Sequence, residues 1–221
     1  MTRDLFQAEL RQLHDDVLTL GSMAEKAILD AMESLRDGDV EWSRRIMIDD
    51  ERINRKRFEI EDRAIFVIAS QQPIATDLRA LASILYIITD LERIADHAEG
   101  IARINTQMEP EPLPRRLGYI PAMADRAVAM LRDSMKAYTD LDVESAKRIC
   151  NADDEVDRLQ DVVHEECVRG MLANPATIQR NTYLLWTAHA LERIADRCTN
   201  ICERVVYTVT GRMEELNVSR Y

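Results

Sequence analysis

Apolar residues recur every three or four positions along almost the whole chain, which is the period of an amphipathic helix. Between 74 and 105, Ile87, Leu91, Ile94, Ala98 and Ile101 form one stripe. Between 176 and 209, Leu184, Ala188, Leu191, Ala195, Cys198, Cys202 and Val205 form another. Proline interrupts the pattern at Pro73 and Pro175, each in the middle of a long periodic region, and so marks a helix–helix corner. Asp37-Gly38-Asp39 and Asp140-Leu141-Asp142 mark two more corners, where aspartate is suited to cap the helix that follows. Pro121 falls where a helix tolerates proline, in its first turn. The pattern predicts six helices, at 3–36, 40–70, 74–105, 119–139, 143–172 and 176–209. Thirty helical residues make a rod of about 45 Å, and rods of that length joined by short corners pack side by side as a bundle.

The two halves repeat. Asp37-Gly38-Asp39-Val40-Glu41-Trp42-Ser43-Arg44-Arg45-Ile46 aligns with Asp140-Leu141-Asp142-Val143-Glu144-Ser145-Ala146-Lys147-Arg148-Ile149, with six of the ten pairs identical. Leu91-Glu92-Arg93-Ile94-Ala95-Asp96 returns unchanged as Leu191-Glu192-Arg193-Ile194-Ala195-Asp196. Repetition of this kind indicates duplication. The expected architecture is all-α: two tandem three-helix bundles, 1–107 and 119–221, joined by a linker at 108–118 that carries Pro110, Pro112 and Pro114.

Composition narrows the function classes. Lys plus Arg is 29 and Asp plus Glu is 40, a formal charge of −11, which argues against a nucleic-acid binder and suits cations or a basic partner. No long uncharged apolar run suggests a membrane span, and the start of the chain lacks the apolar core of a signal peptide. The chain is therefore expected in the cytoplasm, at most peripheral to a membrane, with its 4 cysteines as thiols. With only 6 glycines and no P-loop pattern, a nucleotide-binding loop has nowhere to form.

The chemistry lies in carboxylates on the seams. Helix 2 has a seam at Ile46, Asp50, Ile53, Arg57, Ile60, Ala64 and Val67. Helix 5 has the matching one at Ile149, Asp153, Val156, Gln160, Val163 and Cys167. An aspartate on an apolar stripe is costly unless something pairs with it. One turn further on stand Asn54 and Asp157. Asp153 and Asp196 are equidistant from the Asn174-Pro175 corner, as are Asp157 and Glu192. Asp50 and Asp96 are equidistant from Pro73, as are Asn54 and Glu92. Both arms of an antiparallel hairpin rise at the same rate, so each unit is expected to bring its oxygen-bearing pairs to one level. Carboxylates so placed repel one another unless protons or a cation intervene. All-oxygen ligation suits Mg, Ca, Mn or iron, with zinc possible but less natural. The plainer alternative is a salt-bridged helix surface, with Arg93 and Arg193 as partners.

These segments resemble the PhoU family of phosphate-transport accessory and regulatory proteins. Gln71-Gln72-Pro73, Asp77-Leu78-Arg79 and Leu91–Asp96 resemble its first half. Asn174-Pro175, Ala190–Asp196 and Val205-Val206-Tyr207-Thr208-Val209-Thr210-Gly211 resemble its second. The resemblance implies two metal-binding acidic motifs, with iron foremost, mapping onto Glu92 and Asp96 with Asp50 and Asn54, and onto Glu192 and Asp196 with Asp153 and Asp157. It also implies a non-enzymatic negative regulator of the phosphate-starvation response, a homodimer that links the ATPase subunit of a phosphate ABC transporter to a phosphate-sensing histidine kinase. Asn54 departs from the acidic pattern and leaves the first site one charge short, so weaker metal binding is expected there.

Two other function classes remain at this stage: a carboxylate-ligated metalloprotein with redox or hydrolytic activity, and a metal store. A ferritin-like oxidase is disfavoured, because Asp161-x-x-His164 has no repeat. Cys150, Cys167, Cys198 and Cys202 read as core residues. His97 reads as a surface residue, and neither His14 nor His189 has a counterpart in the other half.

Overall fold

The computed structural model describes residues 3–108 and 118–216. Its helices are α1 (Arg3–Asp37), α2 (Val40–Gln71), α3 (Ala75–Gln107), α4 (Tyr119–Asp140), α5 (Val143–Ala173) and α6 (Ile178–Thr210). The described residues contain no strand. Pro110, Pro112 and Pro114 of the expected linker lie outside the described residues.

Local chemistry explains the corners. Asp39 caps α2 by accepting a hydrogen bond from the Trp42 amide at 2.8 Å, and Asp142 caps α5 by accepting from the Ser145 amide at 3.0 Å. Both satisfy amides that the helix start leaves without partners. The backbone needs a left-handed residue just before each cap. Gly38 supplies it at φ +66, whereas Leu141 adopts it at φ +52, against the steric preference of a side-chain-bearing residue. The last corner differs from expectation. Pro175 opens a single 3-10 turn, Pro175–Thr177, and α6 begins at Ile178 rather than 176. Asn174 drives this turn: its side chain accepts from the Ala176 amide at 3.1 Å.

The predicted stripes form the core. Every residue of the α3 and α6 stripes is at most 1% exposed. Within the first unit α1, α2 and α3 pack on one another, and within the second α4, α5 and α6 do the same. The units join through α3 against α6 and, less extensively, α1 against α4, so both share one continuous core. Helices α3 and α6 run antiparallel. Thr208 donates to Ser83 at 2.7 Å towards one end, while Arg197 and Asn200 reach Asp90 at 3.4 and 3.2 Å nearer the middle. This register brings the two Leu-Glu-Arg-Ile-Ala-Asp segments past each other at the centre of the molecule. The α1–α4 contact has its own polar tie. The Tyr138 hydroxyl lies 2.6 Å from His14 Nδ1. Burial pushes the phenol up and the imidazole down, so the hydroxyl donates and neutral His14 accepts.

Candidate metal centre

Each unit places its predicted acidic residues on two neighbouring helices. In the second unit, α5 carries Asp153 and Asp157 and α6 carries Glu192 and Asp196. Asp153 is 2% exposed, a carboxylate inside the core, while Asp157 stands at the exposed edge of the cluster. Burial pushes Glu192 up to about 7, and the charges of Asp196, Asp157 and Asp153 add to the rise. Asp157 is raised too, by burial first and then by Asp196. Charges that act on one another in this way lie near each other across α5 and α6.

The first unit repeats the arrangement with different occupants. Asp50 and Asn54 lie on α2, Glu92 and Asp96 on α3. Burial pushes Asp50 up to about 6, reinforced by Asp96, Glu99 and Glu92. Glu92 is raised by burial and by Asp96. Asp50 Oδ1 is buried without a hydrogen-bond partner, while its Oδ2 accepts from Asn54 Nδ2 at 2.9 Å. Asn54 therefore turns its donor towards the aspartate, which an aspartate at that position could not do. A groove of about 480 Å³ between α1 and α2 is lined by Asp50, Glu99 and the basic residues Lys26, Arg45 and Arg52. Of the four predicted site residues of this unit, Asp50 lines it and Asn54, Glu92 and Asp96 do not.

The arginines are also present. Arg93 donates to Asp96 at 3.0 Å and Arg193 to Asp196 at 2.9 Å. Among the described residues, no three carboxylate, imidazole or thiol groups are drawn into metal-coordinating geometry. The arrangement is thus a pair of electrostatically stressed carboxylate clusters, each partly neutralised by a guanidinium. The donor set suits a hard cation: oxygens from two adjacent helices, with one buried acceptor atom unused in the first unit.

Three residues were missed by the pattern. Glu99 acts on Asp50 and lines the groove; its position one turn after Asp96 was the available signal. His189 Nδ1 lies 3.2 Å from Glu192 Oε2, at the i,i+3 spacing. His97 is not a surface residue. It is half-buried, its Nε2 is enclosed without a hydrogen bond, and burial together with Arg197 and Arg193 pushes it down to about 4. Packing of α6 on α3 covers it, which the period of α3 alone cannot show. The cysteines are core residues as expected, all four of them buried, and His164 is exposed.

Fold and site together define an all-helical protein of two duplicated units, each with an acidic cluster between its second and third helices. The PhoU domain model matches residues 17–104 and again 120–205, and the chain belongs to the PhoU family. A Clostridium acetobutylicum protein named as a phosphate-specific transport system accessory protein PhoU homolog is 38% identical over 218 residues, covering 98% of this chain and 100% of that protein. The Escherichia coli phosphate-specific transport system accessory protein PhoU is 31% identical, covering 94% and 86%. The crystal structure of PhoU from Pseudomonas aeruginosa superposes with a TM-score of 0.89 at 32% identity, covering 94% of this chain and 100% of that one. That of the phosphate transport system regulatory protein PhoU from Streptococcus pneumoniae gives 0.88 at 30%, covering 95% and 99%. Among the described residues no helix is long and apolar enough to cross a membrane.

Proposed function

We propose that this chain is a metal-binding regulator of phosphate uptake and signalling. It acts as a non-enzymatic, cytoplasmic homodimer that keeps the phosphate-starvation response off when phosphate is plentiful. Its partners are the ATPase subunit of a phosphate ABC transporter and a phosphate-sensing histidine kinase. Support comes from membership of the PhoU family and from relatives named as accessory proteins of phosphate-specific transport. The metal half rests on the placement of Asp153, Asp157, Glu192 and Asp196 on two adjacent helices, where the other three carboxylates raise Glu192.

In this reading the second cluster holds metal through those four carboxylates. The first holds it through Asp50, Glu92 and Asp96 with the Asn54 carbonyl. The ion, iron foremost by family and otherwise Zn, Mn, Mg or Ca, neutralises the cluster and ties the second helix of each unit to the third. A stiffened acidic platform is suited to present a constant surface to partners. Deletion of the gene tests the regulatory half. Alkaline phosphatase should become active in high phosphate; continued repression, in a strain with no second copy, would overturn the reading.

A further inference from the structure

Each Leu-Glu-Arg-Ile-Ala-Asp segment carries its own cation. Arg93 Nη1 donates to Asp96 Oδ2 at 3.0 Å, and Arg193 Nη1 donates to Asp196 Oδ2 at 2.9 Å. The donor atom, the acceptor oxygen and the i,i+3 spacing are the same on helices from different units. Pairs at this spacing are common on charged helices and are individually weak. This pair differs because its acceptor belongs to a crowded cluster. Asp96 presses on Asp50 and Glu92, and Asp196 presses on Asp157 and Glu192. The guanidiniums oppose that pressure, Arg93 on Glu92 and Arg193 on Glu192. The arginine side chains are 55% and 38% exposed, so each has water to swing into, while the aspartates they hold are 35% and 31% exposed.

We propose that Arg93 and Arg193 are built-in counter-cations that hold Asp96 and Asp196 in the ion-free protein and are displaced into solvent when a divalent cation takes those oxygens. This rests on the metal-binding reading above. No proton or electron is transferred; one guanidinium–carboxylate contact breaks as one metal–carboxylate contact forms at the same oxygen. The arginines are positioning residues that lower the affinity of each site without changing its capacity. They also make the sites selective, because an ion that binds oxygen no better than an internal guanidinium cannot displace it. The same exchange keeps the ion-free clusters from carrying their full charge.

The test uses the full chain, stripped with chelator and dialysed, and Mn²⁺ as the probe. Calorimetric titration compares the wild type with Arg93→Gln and Arg193→Gln, after circular dichroism has shown each variant helical. Arginine Nε–Hε resonances of the wild type are followed through a parallel titration with Zn²⁺, a diamagnetic ion that leaves signals beside the site visible. The expected result is Mn²⁺ binding about fivefold tighter in each variant, the order of one exposed ion pair, with unchanged stoichiometry. The wild-type guanidinium signals of Arg93 and Arg193 should become mobile on loading. Unchanged or weaker Mn²⁺ affinity in the variants would overturn the proposal, as would guanidiniums that stay ordered in loaded protein. Wild type and variants that all fail to bind Mn²⁺ would sink the metal reading itself. A wild type that binds, with variants that do not differ from it, sinks this proposal alone.

Discussion

The two repeats share a backbone plan and differ in how they treat polar groups. The core of the first unit contains Asn105, which donates to the Ser34 carbonyl and to Ser43 Oγ, both at 2.9 Å. Ser43 in turn donates to Ser34 Oγ at 3.0 Å. At the corresponding positions the second unit has Val205, Ala137 and Ala146, all buried. The acidic clusters differ in the opposite sense. The second has Asp157 and Gln160 where the first has Asn54 and the cation Arg57. Arg57 lowers the neighbouring Glu92, and no cation occupies the matching place beside Glu192. Glu99 restores a charge to the first cluster where the second has Thr199. Duplication thus preserved the level at which the side chains meet and let their charges diverge, because helix register is set by apolar packing while the ends of polar side chains are not.

The largest expected effect separates the two clusters. Glu192→Ala with Asp196→Ala should abolish metal binding in the second unit, and Glu92→Ala with Asp96→Ala should remove only the weaker site. Elemental analysis of each protein purified without chelator reads the difference; equal metal content in wild type and both variants would end the comparison. Next in size is Asn105→Ala. It takes from Ser43 Oγ its buried donor, and from the Ser34 carbonyl one of two, the Asp39 amide remaining at 2.9 Å, and should cost about 2 kcal/mol in denaturant unfolding. Transplanting the apolar set instead, Ser34→Ala, Ser43→Ala and Asn105→Val together, should cost less, since both hydroxyls leave with the amide and the residue-34 carbonyl still accepts from the Asp39 amide.

A smaller effect is tied to pH. Glu192 is raised from 4.5 to about 7 in the folded protein, so the folded state binds its proton more tightly than the unfolded chain. The associated stability is fully present below about pH 4.5 and lost as pH rises through about 7. Glu192→Gln should therefore stabilise metal-free protein at pH 8 by about 1 kcal/mol after allowance for solvent screening, and have little effect at pH 4. Thermal melts at the two pH values check the sign. The smallest change is Asn54→Asp. It replaces the amide beside Asp50 with a second carboxylate and should tighten metal binding there several-fold, as read by calorimetry. No gain would mean that Asn54 is not what distinguishes the units.

Much of this was legible along the chain. Pro73, Pro175 and the two Asp-x-Asp corners placed the helix ends, because proline removes an amide and aspartate satisfies one. The start of α6 was misplaced by two residues, because the Asn174 side chain captures the Ala176 amide and diverts the chain into a 3-10 turn. Equal distance from a corner pairs Asp153 with Asp196 and Asp50 with Asp96, and the charge of Asp96 does act on Asp50. It could not show which oxygens would be enclosed, and it missed Glu99 and His189, which join their clusters from one turn away.

What the order of residues determined is everything set by helical period and by local capping: six helices, their core stripes and the duplication. How the units meet was decided only by tertiary structure. The antiparallel register of α3 and α6 depends on side chains more than a hundred positions apart, such as Ser83 with Thr208 and Asp90 with Arg197. That packing covers His97 and brings the two Leu-Glu-Arg-Ile-Ala-Asp segments together at the centre. A period of 3.6 residues tells which face of a helix is buried, and it carries no information about which other helix buries it.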